Sequence, residues 1–528
     1  MIPGLMQHTP LNISSLLAHA VNTTPTREVV SRQIDGTIWR YTYAAMAKRV
    51  AQGAHMLEAL GIGEDGIVSS LAWSTHRHLE LMHAVPNLGA VLHTANPRLS
   101  IEQLAFTINH AGSTILLHDA NMAPLVAQLR PHLPNVAHYI ILSAEDYDAR
   151  LAAHPEQYDW PVLDENGGAL LCYTSGTTGD PKGVLYSHRS IILHAMGASL
   201  NSANGTSAFD TVMPGATLFH AGGWGAPYTC PMNGAKLVLV GDKMDPASLS
   251  ELILSEGVTA ASGVPTIWTL YLAHIAKMGC GVGALKRIAI GGSAVPRAMF
   301  EEFRDKYGVE VRQLWGMTET SPTGVSASPL PAIAALGEEV MTDILLTRQG
   351  HRVYGIEVKI VDEHGHTLPE DGEAAGSVMV RGPWVVERYY KAENSAVDSE
   401  GWLDTGDVAT IDTHGYLRLT DRKKDVIKSG GEWVSSIDIE NIAIACPGVK
   451  LAAVVGVFHP KWEERPIMII ERQDGATVTE ADMRSFLSTR IVKWWMPDAF
   501  IFAPIPLTAT AKYDKKVLRD RYQDVLRG

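Results

Sequence analysis

LLCYTSGTTGDPKGV, residues 170–184, decides how this chain is read. An apolar run ends at Tyr173 and passes into Thr174-Ser175-Gly176-Thr177-Thr178-Gly179, followed by Lys182-Gly183. That pattern predicts a buried strand ending in a tight turn. Hydroxyls and glycine N–H groups crowded into one turn make a concave set of donors for phosphate oxygens, and Lys182 adds a positive charge. The spacing is not that of a P-loop, because Lys182 comes three residues after Gly179 rather than directly after it.

Outward from this turn, helical and strand signals alternate through the first 400 or so residues. Residues 43–60 put Met46, Val50, Leu57 and Leu60 near one helical face, with Thr42 as cap and Gly61 at the end. Residues 246–256 repeat the design, with Asp245 as cap, Pro246 in the first turn and Gly257 at the stop. Apolar runs at 67–72, 114–118, 237–240 and 287–292 read as buried strands. The alternation predicts an α/β class with largely covered sheets. Gly61, Gly63 and Gly66 match G-x-G-x-x-G, but they follow a helix and precede a strand, the reverse of a dinucleotide fingerprint.

Past about residue 400 the character changes. Asp404–Asp407 is a turn, 415–420 alternates like a half-buried strand, and DRKKDVIKSGGEW (421–433) is dense in charge and glycine. Strands at 451–458 and 467–471 and a helix over 479–493 complete a smaller unit. The predicted division is a large N-terminal domain over 1–420, a junction at 421–424 and a C-terminal domain over 425–528.

At 528 residues the chain exceeds what one core usually supports. A net charge of −13 argues against a nucleic-acid partner, which needs a basic face. Cys172, Cys230, Cys280 and Cys446 lie far apart with no C-x-x-C pair, so neither a zinc site nor a disulfide framework is expected. No secretory signal or long apolar span is evident, and a cytoplasmic location is expected. The sequence does not fix the oligomeric state; a homodimer is compatible with it.

TSGTTGDPKG resembles the signature loop of the adenylate-forming superfamily, which holds acyl-CoA synthetases, luciferases and peptide-synthetase adenylation domains. FHAGGWG (219–225), GGSAVP (291–296), WGMTET (315–320), GWLDTGD (401–407), DRKKDVIKSGGEW (421–433) and PLTATAK (506–512) follow in that superfamily's order. The likeness runs over roughly residues 10–520. NPRLSIEQ (96–103), YSHRS (186–190) and KWWMPDA (493–499) look most like bacterial medium-chain acyl-CoA synthetases and methylmercaptopropionate–CoA ligases.

The resemblance implies an α/β fold with a mobile α+β C-terminal lid. It also implies an acid–CoA ligase that uses ATP, Mg²⁺ and coenzyme A on a small-molecule carboxylic acid. By it Lys512 bridges carboxylate and α-phosphate, Glu319 holds Mg²⁺, and Thr318 and Lys182 lie near the phosphates. Trp315 stacks on adenine beside Gly316 and Met317. Asp407 and Arg422 take the ribose hydroxyls, and Gly291, Gly292 and Ser293 shape the adenine and acyl pocket. His220 and Trp224 line the acyl and thiol side. Lys424 maps to the hinge, and Lys428, Gly430, Gly431 and Trp433 approach nucleotide or CoA in one of two poses. One departure is Ala511, where the family usually has glycine.

Carboxylate attack on a phosphate brings anion to anion, so the chemistry itself demands such cations. The small run Ala221-Gly222-Gly223 predicts room for a branched, cyclic or longer acid. No cation stands out in the pocket segments, which favours an uncharged tail. Three other readings compete. A carrier-protein ligase for amino acids would carry an Asp where His220 stands. A luciferase-like oxygenase shares the motifs. A regulatory nucleotide-binding relative would be expected to have lost Lys182, Glu319 or Lys512.

Overall fold

The computed structural model describes residues 1–174, 180–293, 295–429, 432–508 and 513–527, with the backbone alone at 432 and 433. The strand Gly168–Tyr173 belongs to a six-stranded sheet with Val91–Thr94 and Ile67–Leu71 beside it. Its strands are parallel except the edge strand Gly183–Ser187, which runs back from the 170–184 turn. Val91–Thr94 and Ile115–His118 are buried at every position, as expected of strands covered on both faces. A nine-stranded sheet follows, whose parallel middle runs through Thr211–Pro214, Ala260–Gly263, Arg287–Gly291 and Glu310–Trp315.

Helix His76–Asn87 is buried along its whole length. Three of its polar side chains are paired there, Arg77 with Asp148 at 2.6 Å, Glu80 with Arg49 at 2.7 Å and His78 with Ser70 at 2.9 Å, while neither ring nitrogen of His76 has a hydrogen-bond partner among the described residues. An unpaired charge at such a depth would cost several kcal/mol, roughly 3–5 on loss of a partner.

Local signals hold where they were strong. Helix Tyr43–Ala59 starts with Thr42 accepting from Ala45 N–H. Helix Pro246–Glu256 is capped by Asp245 and ends at Gly257, whose φ is +62°. The reading of 479–493 as one helix is corrected: the helix spans Glu480–Ser488, and a 3₁₀ turn follows at Lys493–Trp495. Ile491, Trp494, Trp495 and Met496 pack against the core from the segment beyond the helix.

A four-stranded antiparallel sheet ends in Leu417–Arg422, and the next strand, Ile427–Ser429, already belongs to a five-stranded sheet of the smaller C-terminal domain. The cavity described below opens among the 170–184 strand and its return, the C-terminal ends of the nine-stranded sheet, and the segment 404–424. No described helix is long and apolar enough to cross a membrane.

Asp119, one residue past strand Ile115–His118, is 1% exposed and accepts from the backbone N–H of Trp73 at 2.6 Å. Burial pushes its carboxyl up to about 7. The folded value lies above the unfolded one, so this residue's contribution is full below about pH 4 and is lost as pH rises through 7. Asp119→Asn should therefore raise Tm at pH 8 and have little effect at pH 4. The gain is a few kcal/mol at most, at about 1.4 kcal/mol per pKa unit. Equal Tm shifts at both pH values would contradict this.

Candidate active site

A cavity of about 650 Å³ lies where these elements meet. Thr174 and Lys182 reach it from the 170–184 segment, Gly291 and Gly292 from the end of strand Arg287–Gly291, and Gly316, Met317, Thr318 and Glu319 from the loop after Glu310–Trp315. Arg422, Lys423 and Lys424 close another side, and His220 and Trp224 line the wall opposite in character, with Phe219, Met244, Val264 and Ile267.

The loop after Trp315 is fixed from several directions. A Cβ on Gly316 would overlap the carbonyl oxygen of Pro322, so the chain can double back over this position only as glycine. Tyr186 Oη donates to Thr318 O at 2.6 Å, Val386 N–H to Glu319 O at 2.8 Å, and Ser321 Oγ to Trp384 O at 2.9 Å. Glu319 is consequently held 7% exposed yet on the cavity wall.

Tyr389 completes this corner. Its hydroxyl donates to Glu319 Oε1 at 2.8 Å, and Lys182 Nζ lies 4.7 Å from its ring centroid. Burial raises the phenol above its ordinary value, which keeps it a donor to the carboxylate. Sequence reading passed over Tyr389, since RYYK (388–391) carries no local mark of Glu319, its hydrogen-bond partner 70 residues earlier.

Asp407 is held between two donors: Trp315 Nε1 donates to Oδ2 at 2.9 Å, and Arg422 Nε lies 3.2 Å from Oδ1. Trp315 is thereby placed differently from the expected adenine-stacking ring. It is 6% exposed, packs in the main core and does not line the cavity among the described residues. Its indole N–H aims the Asp407 carboxylate. Gly324 lies so close that a Cβ there would come within 2.8 Å of the ring.

Gly222, expected beside the acyl group, does not line the cavity among the described residues. Ala221, Gly222, Gly223, Trp224 and Gly225 have φ of 38°, 54°, 60°, 54° and 79°, a continuous left-handed turn. A Cβ on Gly222 would point at Leu170 (3.1 Å) and one on Gly223 at Leu218 (2.8 Å), both core residues. These glycines serve the backbone, and the room they leave is in the core. Trp224, by contrast, projects over Gly291, whose Cβ would sit 3.1 Å from its ring.

Other expectations are placed as follows. Ser293 is exposed and does not line the cavity, and Lys428 lies off its wall, its backbone N–H donating to Glu464 at 3.1 Å. Ser175, Gly176, Thr177, Thr178, Gly179, Gly430, Gly431, Ala511 and Lys512, and the side chain of Trp433, lie outside the described residues. Arg98, of NPRLSIEQ, which did not stand out in the sequence, also lines the cavity, with its guanidinium 5.8 Å from the Trp73 ring centroid.

The AMP-binding enzyme family model matches residues 17–390, and the AMP-binding enzyme C-terminal domain model matches 438–512. The chain belongs to the AMP-binding enzyme family. It is 44% identical to a 3-methylmercaptopropionyl-CoA ligase of Ruegeria lacuscaerulensis, over 99% of this chain and 100% of that protein. It is 41% identical to a medium-chain-fatty-acid–CoA ligase of Ectopseudomonas oleovorans, over 99% and 98%. In fold it is similar to an anthranilate CoA ligase solved with anthranoyl-AMP, with a TM-score of 0.89 at 22% identity over 99% of each chain.

Gly222→Val should lower Tm, because it adds a branched side chain at positive φ and drives it against Leu170. A loss of at least ~1–2 kcal/mol is expected from the backbone alone. Thermal unfolding checks this, and an unchanged Tm would return Gly222 to the pocket.

Proposed function

We propose that the protein is an ATP-dependent acid–CoA ligase, forming acyl-AMP and pyrophosphate and then acyl-CoA and AMP. The observation that carries this reading is one cavity holding both an anion-handling corner, Lys182 with Glu319 and Tyr389, and an apolar wall of Phe219, Trp224, Val264 and Ile267. The names of the relatives, ligases of methylmercaptopropionate and medium-chain fatty acid, support an acid with an uncharged tail. With Arg98 on the wall, that preference rests on the apolar lining rather than on absence of charge.

In the first step a carboxylate oxygen attacks the α-phosphorus and the bond to the β-phosphate oxygen breaks. Lys182 and Lys512 are assigned the neutralising of this meeting of anions, and Asp407 with Arg422 the grip on the ribose. A carboxylate takes two hydroxyl hydrogen bonds well, and the guanidinium adds donors without competing. Glu319 fits a Mg²⁺ ligand: it stands on the cavity wall beside Lys182 and Thr318, and Mg²⁺ characteristically takes one or two carboxylates plus phosphates and waters. Bound there, the ion would offset charge on the departing pyrophosphate. In the second step the CoA sulfur attacks the acyl carbonyl and AMP leaves; a thiol of pKa about 8.5 needs no dedicated strong base near pH 8. Domain units 1–420 and 425–528, rotating about Lys424, would let one cavity serve both steps.

The test is CoA-dependent AMP release over a panel of propionate-sized, sulfur-bearing, linear medium-chain and ring-bearing acids. Release with none of them would end the proposal. Within it, Lys512→Ala should reduce acyl-AMP formation by ~10²-fold or more while sparing thioester formation from supplied acyl-AMP. Equal loss in both halves would remove Lys512 from the first step alone.

Tyr389→Phe should raise the Mg²⁺ concentration needed for half-maximal adenylation severalfold, since Glu319 loses the donor that aims it. Titrating Mg²⁺ at saturating ATP measures this, and an unchanged midpoint would mean that the hydrogen bond has no part in metal binding.

A further inference from the structure

Behind the wall that carries His220 lies a second, very small pocket of about 10 Å³, lined by His93, Thr94, Asn96, Tyr173, Thr174 and His220 among others. His220 and Thr174 also line the main cavity, so the small pocket backs directly onto it.

His93 is the unusual member. It stands in the central strand Val91–Thr94, fully buried, with Tyr173 edge-on to its ring at 5.0 Å. Its Nδ1 pairs with Ser69 Oγ at 2.8 Å, and Ser69 in turn with Ser113 Oγ at 2.6 Å. Its Nε2 has no hydrogen-bond partner among the described residues. Burial pushes the imidazole down to about 3, so the ring is neutral. A buried ring nitrogen left unpaired is costly. A space of about 10 Å³ suits one water and nothing larger.

We propose that this pocket is the site of a single ordered water held by His93 Nε2, through which the buried chain Ser113–Ser69–His93 positions His220 on the active-site wall. His93 is then a positioning residue: it touches neither acid nor nucleotide. Ser69 fixes which face of the imidazole meets the pocket, and the water carries that orientation across to His220. The inference deepens the ligase reading where it concerns activity, and stands apart from it where it concerns the water.

Three measurements test it. A high-resolution crystal structure should show one water within hydrogen-bond distance of both His93 Nε2 and His220. A protein group bonded to Nε2, or an empty pocket, overturns the site. The ¹⁵N shifts of His220, assigned by comparison with His220→Gln, should report a changed tautomer balance in His93→Leu and a restored one in His93→Gln, whose amide can replace the Nε2 bond. No change in His93→Leu overturns the coupling whether or not the protein ligates acids. With an accepted acid, His93→Leu should lower kcat/KM about tenfold, the worth of one hydrogen bond, with the KM for ATP unmoved and recovery in His93→Gln. Combined with His220→Ala the two losses should not multiply; losses that multiply fully would show His93 acting independently. If the wild type ligates no acid, the ligase reading falls, and the water and the tautomer still decide this one.

Discussion

The hydrogen bond from the Trp315 indole to Asp407 ties together, at the site, the two sheets that Gly350 and Leu417 also bridge further along. Trp315 ends the last parallel strand of the nine-stranded sheet, and Asp407 lies in Leu403–Ile411 of the antiparallel sheet. From Trp315 the chain runs straight into the loop that carries Thr318 and Glu319. From Asp407 it is a hairpin's reach to Arg422 and the junction with the C-terminal domain. The bond therefore helps hold the acidic corner and the ribose-side carboxylate in register. Because both partners are buried, water does not compete for it, and removal of either would leave a polar group unsatisfied at depth.

What the sequence made legible was local. Helix Pro246–Glu256 is written by a cap, a first-turn proline and a terminal glycine, each acting within a few residues. Strands buried on both faces were plain from unbroken apolar runs. The helix at 479–493 was overextended because apolar residues at helical spacing continue past Ser488, through Ile491, Trp494 and Trp495, although the chain leaves the helix there.

In the site, residue identity was readable and residue company was not. Lys182, Glu319, Asp407 and Arg422 stand in motif stretches and do line or flank one cavity. Tyr389, which touches two of those groups' side chains, comes from a segment with no motif, and its role exists only through contacts made on folding. Gly222 shows the converse. A run of small residues looks like space for a substrate, but the same letters also spell a left-handed turn, and only the φ angles tell the two apart.

That turn has a bearing on how such an enzyme could be re-engineered. Residues 221–225 hold a conformation their neighbours impose, and most side chains would disrupt it, so the stretch nearest the cavity is poor ground for mutagenesis. Met244, Val264 and Ile267 stand on ordinary backbone and face the same cavity. They can exchange volume for volume without disturbing a turn, and a library built on them would sample new pocket shapes on an unchanged scaffold. The wall with the strictest backbone is thus the fixed reference against which the permissive wall can drift.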